Sequence, residues 1–129
     1  MLKRKWRTYV VLNESSKLQL LELINLYKLP KWEVHADHFT VTYGRRYHDL
    51  KLSTAIGDEV ILHATHLGFN QNCYAVKIEG FYSDNSNKHI TLLVNRMNNG
   101  TPNMSNLILN WNKLNKTIEL TGKLTEFAK

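Results

Sequence analysis

The sequence has little cysteine and no long apolar run. Its 129 residues include one cysteine, Cys73, so no intramolecular disulfide can form, and a reducing, cytoplasmic setting is compatible with the chain. No stretch approaches the roughly 18–20 apolar residues of a membrane-spanning helix. The basic residues 3–7 precede only a short apolar run, residues 9–12, whereas a secretory signal needs a longer one. We therefore expect a soluble, cytoplasmic protein without a membrane partner.

The sequence also lacks linkers, low-complexity tracts and any segment of clearly different amino-acid composition. We therefore expect a single domain over residues 1–129. A chain of this length buries a core without disulfides. Its 17 lysines and arginines outnumber 11 acidic residues, which leaves a net charge of +6. A basic balance favours polyanionic partners such as nucleic acids or nucleotides. A solvated basic terminus at residues 3–7 is an equally good explanation, and nothing indicates an obligate protein partner.

Residue patterns predict six strands and two helices. Alternating or β-branched runs predict strands at residues 8–13, 37–44, 59–68, 72–83, 88–95 and 116–127. The first helix is predicted between residues 15 and 30, with Asn13 or Ser15 as its cap and Pro30 as its end. The order of these elements indicates an α+β layered fold.

The second helix is predicted within residues 97–114. Thr101 is its candidate cap and Pro102 lies in its first turn. The apolar residues at helical spacing are Met104, Leu107, Ile108, Trp111 and Leu114. We interpret this stripe as core packing.

Two of the predicted strands begin with the same short pattern, "HFTV" at residues 38–41 and "HITL" at residues 89–92. Side chains alternate between the two faces of a strand. His38 and Thr40 therefore share a face, with Thr42 beyond them, and His89 shares a face with Thr91. The opposite faces, with Phe39, Val41 and Tyr43 on one strand and Ile90, Leu92 and Val94 on the other, are predicted to face the core.

Two imidazoles and two hydroxyls on one surface suit phosphodiester cleavage. One histidine can take a proton from the nucleophile while the other gives a proton to the leaving oxygen, since both roles need a pKa near neutrality. Threonine hydroxyls can donate hydrogen bonds to the non-bridging oxygens, where negative charge grows. This chemistry requires no metal ion and no other cofactor.

The paired motifs resemble the signature of the 2H (two-histidine) phosphoesterase superfamily, His-hydrophobic-Thr-hydrophobic. Over residues 8–128 the chain is similar to the branch that contains the cyclic phosphodiesterase domain of fungal-type tRNA ligases and the Swiss-army-knife RNA-repair-like proteins. The resemblance implies a bilobal α+β domain, with antiparallel sheets in pseudo-two-fold halves, helices on the outer faces and a cleft between the halves. It also implies that His38 and His89 are the catalytic acid and base, while Thr40 and Thr91 hold the phosphate.

The function implied is that of a metal-independent phosphodiesterase acting on a cyclic or 2′-linked nucleotide phosphate, above all on RNA ends that carry a 2′,3′-cyclic phosphate. Two alternatives remain. The chain could instead hydrolyse small cyclic nucleotide or oligonucleotide signals, as some viral members of the superfamily do in immune evasion. It could also be a non-catalytic module that binds RNA or nucleotides. The sequence does not decide which histidine is the acid.

Other residues carry weaker signals. Arg45, Arg46 and Lys88 flank the motif strands and are candidates for phosphate contacts, although a solvated surface role explains each of them too. The candidates for stacking on a base are Trp6, Tyr43, Tyr47, Phe81 and Tyr82.

The remaining histidines give no metal-binding pattern. His63 and His66, three apart on one strand, should face opposite sides, so we expect no shared metal ion. His48 is expected to be solvated, and so is His35, for which a role in support of His38 is the alternative.

Overall fold

The computed structural model describes residues 5–25 and 31–128. Within them, seven strands form one antiparallel sheet in the order β2-β6-β5-β4-β7-β1-β3. The strands are β1 (Trp6–Leu12), β2 (Glu33–Val34), β3 (His38–Tyr43), β4 (Glu59–Phe69), β5 (Cys73–Glu79), β6 (His89–Val94) and β7 (Asn110–Ala128). The helices are α1 (Glu14–Asn25) and three short 3₁₀ helices, Tyr47–Leu50, Arg96–Asn98 and Pro102–Leu107. The fold is thus mixed α and β, and no helix in the described ranges is both long and apolar enough to cross a membrane.

The first predicted helix forms because a cap and an apolar stripe coincide. Asn13 is the N-cap, since its Oδ1 accepts a hydrogen bond from the backbone N–H of Ser16 (2.8 Å) and so satisfies a free donor of the first turn. Leu20 and Ile24 are buried in the main core. Ser16 Oγ accepts a hydrogen bond from the backbone N–H of Thr121 in β7 (2.7 Å), which ties the helix to the sheet. The helix end predicted at Pro30 lies outside the described residues.

The prediction of a second helix within residues 97–114 is wrong. Residues Pro102–Leu107 form a 3₁₀ helix, and β7 begins at Asn110. Asparagine is a poor helix former and recurs through this segment, while pairing with β4 satisfies the backbone hydrogen bonds. Trp111 instead packs over Gly68, where an added Cβ would lie 2.4 Å from the indole ring.

Only some residues of the apolar stripe predicted for that helix are buried. Ile108 is buried, and Met104 and Trp111 pack against the small core cluster that contains it. Leu107 is 67% exposed, so it is not a core residue.

A large bulge divides the two long strands. Ala64 of β4 pairs with Ile118 of β7, but the next pair is His66 with Lys113, so residues 114–117 face a single residue of β4. Such a bulge bends both strands and reorients side chains. Before the bulge, β4 pairs with the second half of β7, which in turn pairs with β1, and β1 pairs with β3. After it, β4 pairs with the first four residues of β7 on one side and with β5 on the other, and β6 and β2 follow β5.

The segment between β2 and β3 connects the two edges of the sheet. The backbone N–H groups of His35 and Ala36 donate to the carbonyls of Leu92 (2.8 Å) and Thr91 (2.9 Å) in β6. Ala36 is buried with φ +65°, a left-handed conformation that non-glycine residues rarely adopt. The chain turns there and enters β3, which pairs with β1. This turn brings the start of β3 close to β6.

A bulge in β3 changes which side chains face the core. Thr40 pairs with Tyr9, and Thr42 pairs with Thr8, so Val41 is an extra residue between two consecutive positions of β1. Thr42 is consequently buried, while Tyr43 is 61% exposed. The predicted faces of Thr42 and Tyr43 are therefore wrong, because strict alternation ends at the bulge.

Candidate active site

The structure brings both motifs to one cleft. His38 and Thr40 of β3, and His89 and Thr91 of β6, line a cleft of about 670 Å³. That volume lies within the range of small-molecule sites. Phe39 and Ile90, the residues between them, are completely buried. The core on one face of each strand thus orients the histidine and threonine on the other.

His38 is held against an aromatic ring. Its imidazole stacks on Tyr9, with ring centroids 4.0 Å apart and planes inclined by 21°. Burial lowers the pKa of His38; the Asp37 carboxylate opposes this shift, while the nearby histidines His35 and His89 add to it. His38 is therefore neutral at neutral pH and can accept a proton.

His89 has a defined tautomer. Its Nδ1 lies 2.6 Å from the Asn87 carbonyl oxygen, and a carbonyl can only accept, so Nδ1 carries the proton. Nε2 is then the unprotonated ring nitrogen. The residue is only 8% exposed, and burial lowers its pKa, although the hydrogen bond to Asn87 opposes that shift.

The two threonines differ in their partners. Thr91 Oγ1 donates to the Pro102 carbonyl (3.2 Å) and lies 2.9 Å from Ser105 Oγ. If Ser105 is the donor, Thr91 keeps its own proton for the long bond to Pro102 or for a ligand. The Thr40 hydroxyl makes no hydrogen bond to the described residues, and its carbonyl instead accepts one from Ser83 Oγ (2.7 Å).

Two carboxylates at the cleft are compensated by cations outside it. Asp37 pairs with Lys17 (2.6 Å), and Asp84 pairs with Arg45 (2.5 Å). Burial would raise the pKa of Asp84, but hydrogen bonds from Arg45 and Tyr82 outweigh it and lower that pKa. Asp84 therefore remains charged at neutral pH. Among the described residues that line the cleft there is no lysine or arginine.

The three cations that the sequence analysis names as phosphate contacts lie outside the cleft lining. Arg45 is bound to Asp84 and donates to Tyr82 Oη (2.7 Å). Arg46 pairs with Glu126 (3.0 Å) and stacks over the Trp6 ring at 3.8 Å. Lys88 Nζ donates to the Phe81 carbonyl (3.3 Å). Their contacts with substrate remain predictions.

Sequence reasoning missed several residues that line the cleft: Tyr9, Asp37, Asp84, Asn85, Asn103 and Asn106. The loop that carries Asp84 is anchored on β3, where the Asp84 N–H donates to the Val41 carbonyl (2.8 Å). One signal in the sequence could have indicated Asn103 and Asn106. The asparagine-rich stretch around residues 103–106 offers amide groups for binding and is poor in helix formers. The contributions of Tyr9 and Asp84 depend on strand pairing and loop geometry, which no local pattern reveals.

The other histidines have separate surroundings. His35 lines the cleft and hydrogen-bonds Glu33 (2.6 Å), whereas His48 is solvent-exposed beside Asp49. His63 and His66 do not face opposite sides as predicted, since Ala64 and Leu67 both lie in the core and alternation is interrupted between them. In residues 5–25 and 31–128, no three or more histidine, cysteine or acidic residues are grouped so as to hold a metal ion.

Comparison of the chain with protein-family models, curated proteins and solved structures gives no match in any of the three.

Proposed function

We propose that this protein is a metal-independent phosphodiesterase of the 2H type that hydrolyses 2′,3′-cyclic phosphates at RNA ends. The observation that carries the proposal is the meeting of His38, Thr40, His89 and Thr91 in one cleft. The division of the sheet by the β4–β7 bulge is compatible with the two lobes of that superfamily. We also propose a cytoplasmic location, because the single cysteine, Cys73, is free and buried and no disulfide calls for an oxidising compartment.

The proposed reaction balances with water as the nucleophile. A neutral imidazole takes a proton from water as the water oxygen bonds to phosphorus. The bond between phosphorus and one ribose oxygen breaks, and the second histidine, as imidazolium, gives its proton to that oxygen. Thr40 and Thr91 donate to the non-bridging oxygens. Which histidine is the base depends on whether the 2′- or the 3′-oxygen leaves.

The negative charge of the bound phosphate favours protonation of one histidine, which takes its proton from solvent. Burial favours the neutral form of both histidines in the free protein, and the cleft lining described here holds no lysine or arginine. A bound phosphodiester brings a negative charge, which raises the pKa of a neighbouring imidazole. Substrate binding therefore promotes the mixed state, with one imidazole neutral and the other charged, that the reaction needs.

A substrate panel tests the proposal. The protein is incubated with an oligoribonucleotide that ends in a 2′,3′-cyclic phosphate, with 2′,3′-cyclic mononucleotides and with cyclic oligonucleotides, each with and without EDTA. We expect turnover of 2′,3′-cyclic ends at equal rates in both conditions. Turnover of cyclic oligonucleotides alone would identify a signal hydrolase. Binding without turnover would identify a binding module, and loss of turnover in EDTA would exclude the metal-free mechanism.

The pH dependence gives a second prediction. If one histidine must be neutral and the other charged, kcat/KM follows a bell between the two apparent pKa values of the free protein. Both pKa values are lowered, so we expect the maximum on the acid side of about pH 6.5, the ordinary histidine value. Above it the acid loses its proton, and below it the base gains one. A steady rise of kcat/KM from pH 6 to pH 9 would contradict this assignment.

A further inference from the structure

Arg7 lies on the same face of the sheet as the catalytic residues. In β1, Thr8 and Val10 are completely buried, so Arg7 and Tyr9 point to the opposite face, where Tyr9 stacks on His38. Arg7 pairs with Tyr43 of β3, and Tyr9 pairs with Thr40. Two residues along a strand span about 7 Å. Arg7 is therefore one row beyond the row that carries Thr40.

Arg7 differs from the other described arginines in its partners. Arg45, Arg46 and Arg96 each pair with a carboxylate, whereas no carboxylate in residues 5–25 and 31–128 pairs with Arg7. Its Nε is buried without a hydrogen-bond partner. Buried donors are normally satisfied, so one without a partner calls for an explanation. Arg7 is thus a half-buried cation whose charge no described residue neutralises.

Tyr43 connects this cation to the cleft. The Arg7 guanidinium carbon lies 4.6 Å from the centroid of the Tyr43 ring, and Nη2 donates to Tyr43 Oη (2.9 Å). Tyr43 itself lines the cleft. These two contacts hold the guanidinium in place, while Nη1 makes no hydrogen bond to the described residues. A planar guanidinium held in this way can present its Nη1 donors to an anion.

We propose that Arg7, held by Tyr43, binds the phosphate on the 5′ side of the nucleoside that carries the cyclic phosphate. The cyclic phosphate lies between the two histidines, and one ribose separates it from the next phosphate of the strand. The cleft lining lacks a cation, and Arg7 supplies one from the row of the sheet next to the row that carries Thr40. The protein then prefers the end of an RNA strand to a free cyclic mononucleotide. This inference depends on the proposed function.

Matched substrates test it. They are adenosine 2′,3′-cyclic phosphate, a dinucleotide that ends in the same group, and that dinucleotide with an uncharged methylphosphonate at the internal linkage. For Arg7→Ala we expect kcat/KM on the dinucleotide to fall about tenfold, the size of one hydrogen bond to a charged group. Its value on the mononucleotide should not change. The methylphosphonate should lower the activity of the unaltered protein by a similar factor and leave that of Arg7→Ala unaffected.

Two variants serve as controls. Arg7→Lys keeps the charge and should retain part of the preference for the dinucleotide, whereas Lys116→Ala removes an exposed charge far along β7 and should change none of the three rates. Thermal unfolding of each variant shows whether it folds. Equal losses on the mononucleotide and the dinucleotide, or no response to the methylphosphonate, would overturn the role of Arg7.

The two proposals fail in different ways. If no cyclic phosphate is cleaved at all, the proposed catalytic function fails. Binding of the dinucleotide that ends in a 2′-phosphate, measured by fluorescence anisotropy, still tests Arg7. We expect Arg7→Ala to weaken that binding about tenfold, and equal affinities would overturn the subsite.

Discussion

Replacement of either cleft histidine with alanine is expected to lower kcat on a 2′,3′-cyclic phosphate by about 10²–10⁴-fold, the usual contribution of a general acid or base. His38 and His89 line the same cleft, and each is proposed to move one proton in a single step. Residues that act as a unit give non-additive losses. The double variant should therefore be little worse than the poorer single variant in a steady-state assay with saturating substrate.

His48→Ala is the matched control, because it removes an imidazole that is solvent-exposed beside Asp49. We expect it to retain full activity. Thermal unfolding of all the variants separates loss of chemistry from loss of fold. An unchanged kcat in both His38→Ala and His89→Ala would remove these residues from the mechanism.

Phe39→Ala is expected to lower the free energy of unfolding by about 3–5 kcal/mol, the typical cost of an emptied aromatic site in a core. Phe39 is completely buried and lies between His38 and Thr40 on β3. Because native domains are stable by only about 5–15 kcal/mol, this loss is a large part of the total. Urea unfolding followed by circular dichroism measures it.

Phe69→Ala provides the comparison for the same chemical change. Phe69 is 43% exposed and stacks on Tyr74 with centroids 5.1 Å apart, so its loss should cost about 1 kcal/mol. Equal losses for Phe39→Ala and Phe69→Ala would mean that β3 does not rest on the core as described. Below its unfolding temperature, Phe39→Ala should still bind substrate, though less tightly.

Local patterns predicted those parts of the fold in which neighbours along the chain decide the structure. The first helix follows from a capping asparagine and apolar residues such as Leu20 and Ile24 at helical spacing. The motif strands follow from alternation, since Phe39 and Ile90 are buried while His38 and Thr40 line the cleft.

Long-range pairing overrode local patterns elsewhere. The stripe from Met104 to Leu114 has helical spacing, yet the chain from Asn110 onward pairs with β4. A spacing rule does not weigh the hydrogen bonds that a distant strand offers. The bulge at Val41 also depends on long-range pairing, because it exists only where β3 pairs with β1. It moves Tyr43 to the cleft face.

The sequence by itself determined which chemical groups are available, two imidazoles and two hydroxyls at period-2 spacing, and which faces of β3 and β6 they occupy. The tertiary structure decided what surrounds them. The turn at Ala36 brings β3 to β6, the fold brings Tyr9 against His38, and the β1–β3 register leaves Arg7 beside Tyr43. The reason is physical: side-chain alternation is a property of one strand, whereas burial, pKa shifts and unpaired charge arise only when distant segments pack together.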